Sequence, residues 1–399
     1  MKILFIMHTS LLDGSTFSLF NLMRELQKKS VEMVLVIPGN NKLSDDFIQY
    51  LEGIKVDLRR VDLGLSVITS FPQRKKSLLR WFLRIIKLPF QKIISKRKLI
   101  HIINETHPDI IHTNSGVVHE GFSVAQKMRI PHVWHLREYQ TLDSKYKILP
   151  SLSAFRKMLR KSYVITITND IRKYFWLIDY FKAKTIYNGI LSHDDTTTVF
   201  PKKKYFFMSS RVAKAKGHLE VIKAFEIVHK TNPDYELWIA GFGDYDYLKL
   251  LHDTLETMSC KNSVKFLGFR KDAVDLMAYA KALIVASSNE GFGRMTAEAA
   301  FKGCMVIGKN TAGTKEILDA VGGISYLGDQ SELALKMQQV ITMSEDEYRK
   351  KIIVTQQKAV SLYSIEANGN NIYNFYLNNG SLKFEITAKR LYAASQRVL

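Results

Sequence analysis

The chain has 399 residues, 46% of them hydrophobic and 24% charged, and carries a net charge of +20. That length suits two domains with cores of their own, and the apolar share excludes a disordered chain. The two cysteines, Cys260 and Cys304, stand far apart without metal or redox spacing, which excludes a disulfide scaffold and suits free thiols in a reducing compartment. Met1–Met7 is too short an apolar run for a signal peptide. No apolar run approaches the roughly 18 residues of a membrane span, so no transmembrane helix is expected.

Lys2–Met7 reads as a buried strand, and His8–Ser15 as a loop holding Gly14. Thr16–Lys29 has helical spacing (Phe17, Leu19, Phe20, Leu22, Met23, Leu26), and Val31–Ile37 is the next strand. Strand, glycine loop, helix and strand open a Rossmann-like half. The charge is uneven: residues 1–195 carry +14 and the remainder +6. Residues 63–104 hold ten cations (Arg74, Lys75, Lys76, Arg80, Arg84, Lys87, Lys92, Lys96, Arg97 and Lys98) and no Asp or Glu. Leucines, isoleucines, Trp81, Phe82 and Phe90 are interleaved, so 71–104 predicts one or two basic amphipathic helices, broken or kinked at Pro89. Such a segment lies on an anionic membrane surface, each basic residue contributing on the order of 1 kcal/mol. An ordinary packed helix with a solvated basic face is the alternative. No nucleic-acid motif accompanies the charge, and nucleic acid is not an expected partner.

Pro108–Ser115 is a strand ending in polar residues, Gly116–Met128 a helix, and Ile130–His135 a strand. His135, Arg137 and Glu138 follow at its C-terminal end, with His112 and His119 as lesser candidates. Arg137 and Glu138 either pair with each other or meet an acceptor. Lys145–Lys161 is a second basic, partly helical segment, and Tyr163–Ile167 is a strand. The polar stretch 191–202 reads as the interdomain linker and hinge.

A second Rossmann-like half starts at Lys204–Ser209. The next loop carries Arg211, Lys214 and Lys216, and cations at a strand-to-helix turn suit a pyrophosphate. The strand Tyr235–Ala240 ends in Gly241-Phe242-Gly243. Asp244 and Asp246 have the spacing of a metal motif, but they begin a helix, where Asp caps well, and no metal is expected. Val264–Leu267 leads to Gly268-Phe269-Arg270. The strand Ala282–Ala286 leads to the loop Asn289–Gly293, the helix Arg294–Lys302 with Gly303 at its C-cap, and the strand Met305–Ile307. Ligands bind at that carboxyl edge of an open parallel sheet. The glycines admit close approach, and free N–H groups at the helix start suit an anion. Glu290 and Glu298, eight residues apart, can accept from pairs of sugar hydroxyls. A capped helix with a solvated Glu298 is the plainer alternative. Two close carboxylates also fit a glycosidase, but Arg211 and Lys216 imply phosphate, which hydrolysis does not need.

The chain resembles the retaining GT-B glycosyltransferases of glycosyltransferase family 4 over about residues 2–378, most specifically over 204–316. The resemblance rests on Glu290…Glu298 with Gly303, on Ala312-Gly313-Thr314-Lys315-Glu316, and on Arg211…Lys216-Gly217. Gly241-Phe242-Gly243, Gly268-Phe269-Arg270, Asn188-Gly189 and His135 add to it. The family's first loop usually carries paired glycines, where this chain has Gly14-Ser15. The implied fold is α/β, with two Rossmann-like domains facing across a cleft and a C-terminal helix crossing back to the first. The implied domains are an acceptor domain over 1–190, a linker over 191–202, a nucleotide-sugar domain over 203–362, and a crossover helix and tail over 363–399.

The resemblance implies a metal-independent hexosyltransferase using a nucleotide sugar, with UDP favoured. Arg211 and Lys216 would hold the diphosphate, Glu298 the ribose and Glu290 the sugar hydroxyls beside Gly291, Phe292 and Gly293. Gly241 and Phe269 would lie by the nucleotide, Gly14 by the donor phosphate or acceptor, and His135 by the reacting carbon. The acceptor would be a saccharide, in keeping with the basic segments a lipid-linked one, at the cytoplasmic face of a membrane in surface or capsular polysaccharide assembly. The competing class is a non-catalytic relative that binds a sugar nucleotide or scaffolds a partner enzyme. The sequence assigns no oligomeric state.

Overall fold

The computed structural model describes residues 1–399 except 40–42, 69–74, 143–145, 379–381, 383–385 and 388–399, and for 75–80 only the backbone. Arg74, Lys145 and nearly all of the tail 380–399 therefore lie outside the described residues, as do the side chains of Lys75, Lys76 and Arg80. The chain divides into two compact units, residues 1–189 with 365–399, and residues 190–364.

The strands of the first unit are β1 (Lys2–Ile6), β2 (Glu32–Pro38), β3 (Asp57–Val61), β4 (Val67–Ile68), β5 (Ile110–Thr113), β6 (His132–Leu136), β7 (Lys147–Ile148), β8 (Tyr163–Thr166) and β9 (Ala183–Thr185). Seven form one parallel sheet in the order β3-β2-β1-β5-β6-β8-β9, while β4 and β7 pair antiparallel apart from it. The central strands are short apolar runs rather than alternating patterns because helices cover both faces. Between the strands lie α1 (Gly14–Lys28), α2 (Asp45–Leu51), α3 (Lys75–Thr106), α4 (Glu120–Met128), α5 (Leu152–Leu159) and α6 (Asn169–Tyr174).

Two details correct the expectations. The first helix starts at Gly14 rather than Thr16, because the Asp13 carboxylate accepts from the N–H groups of Ser15 and Thr16, both at 2.9 Å. The basic stretch is one helix of 32 residues that runs through Pro89. Pro89 stands on the exposed side, where water can satisfy the carbonyl one turn back that loses its N–H partner.

The second unit has the strands β10 (Tyr205–Ser209), β11 (Glu236–Ala240), β12 (Val264–Gly268), β13 (Ala282–Val285), β14 (Val306–Lys309) and β15 (Ile324–Tyr326). All are parallel, in the order β12-β11-β10-β13-β14-β15. The order therefore reverses beside β10, where sequence-adjacent crossovers run to opposite sides and leave a crevice at the strand ends. The helices are α7 (His218–His229), α8 (Tyr245–Leu255), α9 (Ala273–Tyr279), α10 (Arg294–Phe301), α11 (Ala312–Val321), α12 (Gln330–Thr342) and α13 (Glu345–Tyr363). Cys260 and Cys304 are buried free thiols in its core.

Residues 191–202 do not stand apart as a linker. Thr198 Oγ1 donates to Gln356 Oε1 at 2.7 Å, and Lys202 Nζ to the Ala278 carbonyl at 2.7 Å, so the stretch belongs to the second unit and the boundary falls at Gly189. The chain returns to the first unit through α14 (Ile365–Asn378), which packs on α1 with Gly369 against the stem of Glu25. A Cβ at Gly369 would stand 2.3 Å from the Cβ of Glu25.

Candidate active site

A cavity of about 520 Å³ opens at the carboxyl ends of β10, β11 and β13, beside the reversal of strand order. Arg211, Lys216, Gly241, Phe269, Glu290 and Gly293 all line it, and so does Arg294. The loop after β10 is pressed against the end of β13 at Gly217, whose φ is +78° and where a Cβ would meet the Ala286 carbonyl at 2.6 Å. Glycine alone permits that approach, and it brings Lys216 to the Glu290 loop. There Lys216 Nζ is ion-paired with the Glu290 carboxylate, both side chains about one-quarter exposed. The Gly313 N–H, at the start of α11, donates to the Glu290 carbonyl at 2.9 Å and fixes the loop from behind. Arg211 is exposed and forms no ion pair with the described residues.

No side chain caps α10, whose N-cap is Gly293 at φ +89°. Its first turn borders the cavity through Arg294 and Met295, leaving a helix N-terminus turned to whatever anion enters. Glu298 is 2% exposed and does not line the cavity. Its Oε1 accepts from Arg294 Nε at 2.7 Å, and its Oε2 has no hydrogen-bond partner among the described residues. Burial pushes this carboxyl above its ordinary range, and Arg294 pulls it partly back. Glu298 is thus neither solvated nor directly at the cavity wall. Arg294, four residues before it on one helix face, stands between, and sequence reasoning passed it over.

At the mouth, Phe242 and Phe269 stack at 5.7 Å and 14°, and both rings are largely exposed. Gly291 and Phe292 do not line the cavity; the buried Phe292 ring meets Tyr363 edge-on. Asp244 caps α8 by accepting from the N–H groups of Asp246 and Tyr247, as expected for a helix start.

The first unit places its candidates differently. His135 is fully buried on β6. Its Nδ1 lies 3.2 Å from His112 Nε2 and 3.4 Å from Arg137 Nη2, while the Tyr376 hydroxyl on α14 lies 2.7 Å from His112 Nδ1. A guanidinium only donates, so Nδ1 of His135 is an acceptor and its proton sits on Nε2. The same logic puts the His112 proton on Nε2 and makes its Nδ1 the acceptor of the tyrosine hydroxyl. His135 Nε2–H then has no partner among the described residues. Burial, and next the Arg137 charge, hold both imidazoles well below the usual histidine range.

Burial brings the Arg137 guanidinium down to about 9, and the charges of Asp13 and Glu138 pull it partly back. Arg137 is buried and donates to Asn114 Oδ1 at 2.7 Å and Asn188 Oδ1 at 2.6 Å, and Glu138 accepts from Ser115 at 2.8 Å. His119 stacks on Phe155 in the core. Gly14 lies in the first turn of α1, where Asp13 already holds the N–H groups of Ser15 and Thr16 that a phosphate would use. Tyr376 was missed because 264 positions separate it from His112.

A Rossmann-like unit whose switch-point cavity combines two phosphate-suited cations with a sugar-suited carboxylate, preceded by another Rossmann-like unit, has the plan of a GT-B glycosyltransferase. The profile of Glycosyl transferases group 1 matches residues 192–358, and that of Glycosyltransferase Family 4 matches residues 12–191. The chain belongs to this group 1/family 4 type. It is 28% identical over 213 residues to a poly(glycerol-phosphate) α-glucosyltransferase of Bacillus subtilis, covering 51% of this chain but only 31% of that protein. An uncharacterised glycosyltransferase of Haemophilus influenzae is 21% identical, over 66% of this chain and 79% of that protein. Among solved structures, Anabaena HepE in complex with UDP superposes with a TM-score of 0.75 at 20% identity, over 94% of this chain and 99% of that one. A point mutant of S. aureus TarM, in complex with fondaparinux, α-GlcNAc-glycerol and UDP, gives 0.73 at 13% identity, over 94% and 100%. At these identities the structures establish the fold.

Proposed function

We propose that the chain is a retaining, metal-independent hexosyltransferase that takes a nucleotide sugar, UDP-linked by preference, and transfers its sugar to a saccharide acceptor. The observation that carries this is the meeting of Arg211, Lys216, Glu290 and the uncapped start of α10 in one cavity. The diphosphate takes Arg211, Lys216 and the α10 N-terminus. Glu290 turns to the sugar hydroxyls, and Glu298 meets the ribose once Arg294, which stands between Glu298 and the cavity, swings aside. The exposed pair Phe242 and Phe269 gives the base a flat apolar wall. The bond from the anomeric carbon to the phosphate oxygen breaks with its electron pair going to phosphate. The acceptor oxygen bonds to that carbon on the same face and gives its proton to the departing phosphate. Arg211 and Lys216 stabilise the charge that grows there. His135 is the donor on the acceptor side, through Nε2–H.

The acceptor is lipid-linked and the enzyme works at the cytoplasmic face of a membrane, in cell-surface polysaccharide assembly. Support comes from α3. Phe82, Ile86, Phe90, Ile93 and Ile94 form an exposed apolar stripe, with Arg84, Lys87, Arg97 and Lys98 exposed beside it. Apolar side chains between cations on one helix face suit the headgroup boundary of an anionic bilayer. No described helix is long and apolar enough to cross a membrane.

Hydrolysis of UDP-, GDP- and ADP-sugars with EDTA present, together with thermal shifts for each, tests the reading. Slow metal-independent release of one nucleotide is expected. No release and no shift with any donor refutes the donor site.

A further inference from the structure

A second concavity, of about 590 Å³, lies in the first unit between α5 and α6. Its size is that of a small-molecule site, which typically spans about 300–1,000 Å³. Its lining includes Tyr139, two residues beyond Arg137 in the chain, and Trp176.

Trp176 is an unusual choice for its place. It follows α6 with φ +60°, its N–H donating to the Lys173 carbonyl and that of Leu177 to the Arg172 carbonyl. This is the left-handed residue that closes a helix, a position glycine fills without strain. Here a bulky aromatic occupies it with 65% of its surface exposed. The Arg156 guanidinium lies 3.8 Å from the ring centroid. That guanidinium is held by the Tyr174 carbonyl at 2.6 Å, so the indole is braced on one side while its exposed surface faces solvent. Arg156 Nε is buried without a hydrogen-bond partner among the described residues.

Along the concavity the flat groups continue. Arg156 also lies 5.6 Å from the Tyr174 ring, and Tyr174 meets Tyr139 at 5.3 Å. Arg160 and Lys173 add exposed cations to the wall, and Asp170 and Asp179 add carboxylates. Flat apolar faces interleaved with donors and acceptors match the two aspects of a pyranose ring, its C–H faces and its hydroxyl rim. The excess of cations matches negative charge on the chain. A bilayer suits the place less, because the surface is concave and carries two carboxylates.

We propose that the α5–α6 groove binds an acidic saccharide chain, with Trp176 as its stacking platform and Arg156, Arg160 and Lys173 meeting its anionic groups. The inference rests on the glycosyltransferase reading and deepens it: the acceptor is a negatively charged glycan held by the first unit.

The sulfated pentasaccharide fondaparinux and neutral maltopentaose serve as probes, titrated against the full chain by calorimetry and tryptophan fluorescence. Fondaparinux should bind and maltopentaose should bind less well. Trp176→Gly and Lys173→Glu should each weaken fondaparinux binding by roughly tenfold, or about 1.4 kcal/mol. Glycine suits the left-handed position, so Trp176→Gly should keep or raise the melting temperature, which separates lost binding from lost folding. The thermal shifts with the UDP-, GDP- and ADP-sugars are read in the same samples, so a failed donor site shows there and not in the pentasaccharide titration. No fondaparinux binding, binding untouched by both variants, or loss only of anionic-vesicle binding with the pentasaccharide still held would overturn the proposal.

Discussion

Replacing Arg294 with methionine removes the cation that the structure gives to Glu298. The Glu298 side chain is 3% exposed and that of Arg294 30% exposed. Breaking a buried ion pair by deleting one partner costs about 3–5 kcal/mol, and the exposure of Arg294 points to the lower end, about 3 kcal/mol. For a domain of this size that is a fall of roughly 6–12 °C in melting temperature. The loss carries a pH signature. The Glu298 carboxyl already sits above its ordinary range through burial, and without Arg294 it rises further. A raised carboxyl pKa means the folded state holds its proton longer than the unfolded state. Stability is therefore unaffected in acid and is lost as pH rises above the ordinary carboxyl range. The deficit grows by about 1.4 kcal/mol per pH unit until Glu298 ionises. Thermal melts of wild type, Arg294→Met and Arg294→Met/Glu298→Gln at pH 5 and pH 8 read this directly. The single variant should lose most at pH 8, and the double variant should recover most of that loss. A deficit of the same size at both pH values, or one the second substitution leaves in place, refutes the pairing as the cause.

Tyr376→Phe removes the hydroxyl that donates to His112 Nδ1 and leaves a buried acceptor unmet, which should cost about 1–3 kcal/mol. It also frees His112 to change tautomer while Arg137 still holds His135 in its Nε2–H form, so nitrogen NMR should show His112 losing its fixed Nε2–H form; an unchanged spectrum would remove α14 from the control of that imidazole. Burial holds His119 and His132 down at about 3, and His112 and His135 well below the usual value. Groups whose folded pKa is depressed lose their stabilising contribution as pH falls through the unfolded value of about 6.5, each by up to about 1.4 kcal/mol per pH unit. Urea unfolding should therefore show a steep loss between pH 6.5 and pH 5, and a flat profile there would mean that these imidazoles take up protons in the folded state as readily as in the unfolded one. Ile86→Glu with Phe90→Glu should weaken flotation with anionic vesicles more than with neutral ones, while retention of vesicle binding would return α3 to ordinary surface.

What was legible in the sequence is what the chain encodes within a few residues. Arg211, Lys216 and Glu290 stand past strand ends that hydrophobic runs marked, so topology put them at one sheet edge, and the family resemblance picked them out there. The link between Arg294 and Glu298 was also legible, since four residues on a helix put two side chains on one face. The start of α1 turned on one carboxylate. Asp13 captures two N–H groups and draws Gly14 and Ser15 out of the expected loop into the helix, taking up N–H groups that a phosphate would use. Helicity through Pro89 depended on Pro89 facing solvent, and the amphipathic pattern alone did not reveal that, because its apolar stripe is itself exposed. The Tyr376–His112–His135 chain was out of reach, because nothing local in α14 announces a partner 264 positions away.

If the cavity takes a nucleotide sugar as proposed, the ion pair between Lys216 and Glu290 gives it a way to recognise that donor as a whole. At one-quarter exposure on both sides the pair is neither fully screened nor fully buried, so its net worth stays within a few kcal/mol and a ligand can displace it. A diphosphate competes for Lys216, and sugar hydroxyls compete for Glu290. A nucleoside diphosphate alone would take the lysine and leave the glutamate unpaired in a partly dry wall. A free sugar would approach the glutamate with no charge to draw off the lysine. Only a ligand carrying both groups at the right separation replaces both halves of the pair at once. Gly217 and Gly313 matter for the same reason, since the close approaches at these two glycines hold the two loops near enough for the exchange. In this reading the paired ground state discriminates for an intact nucleotide sugar before any chemistry begins.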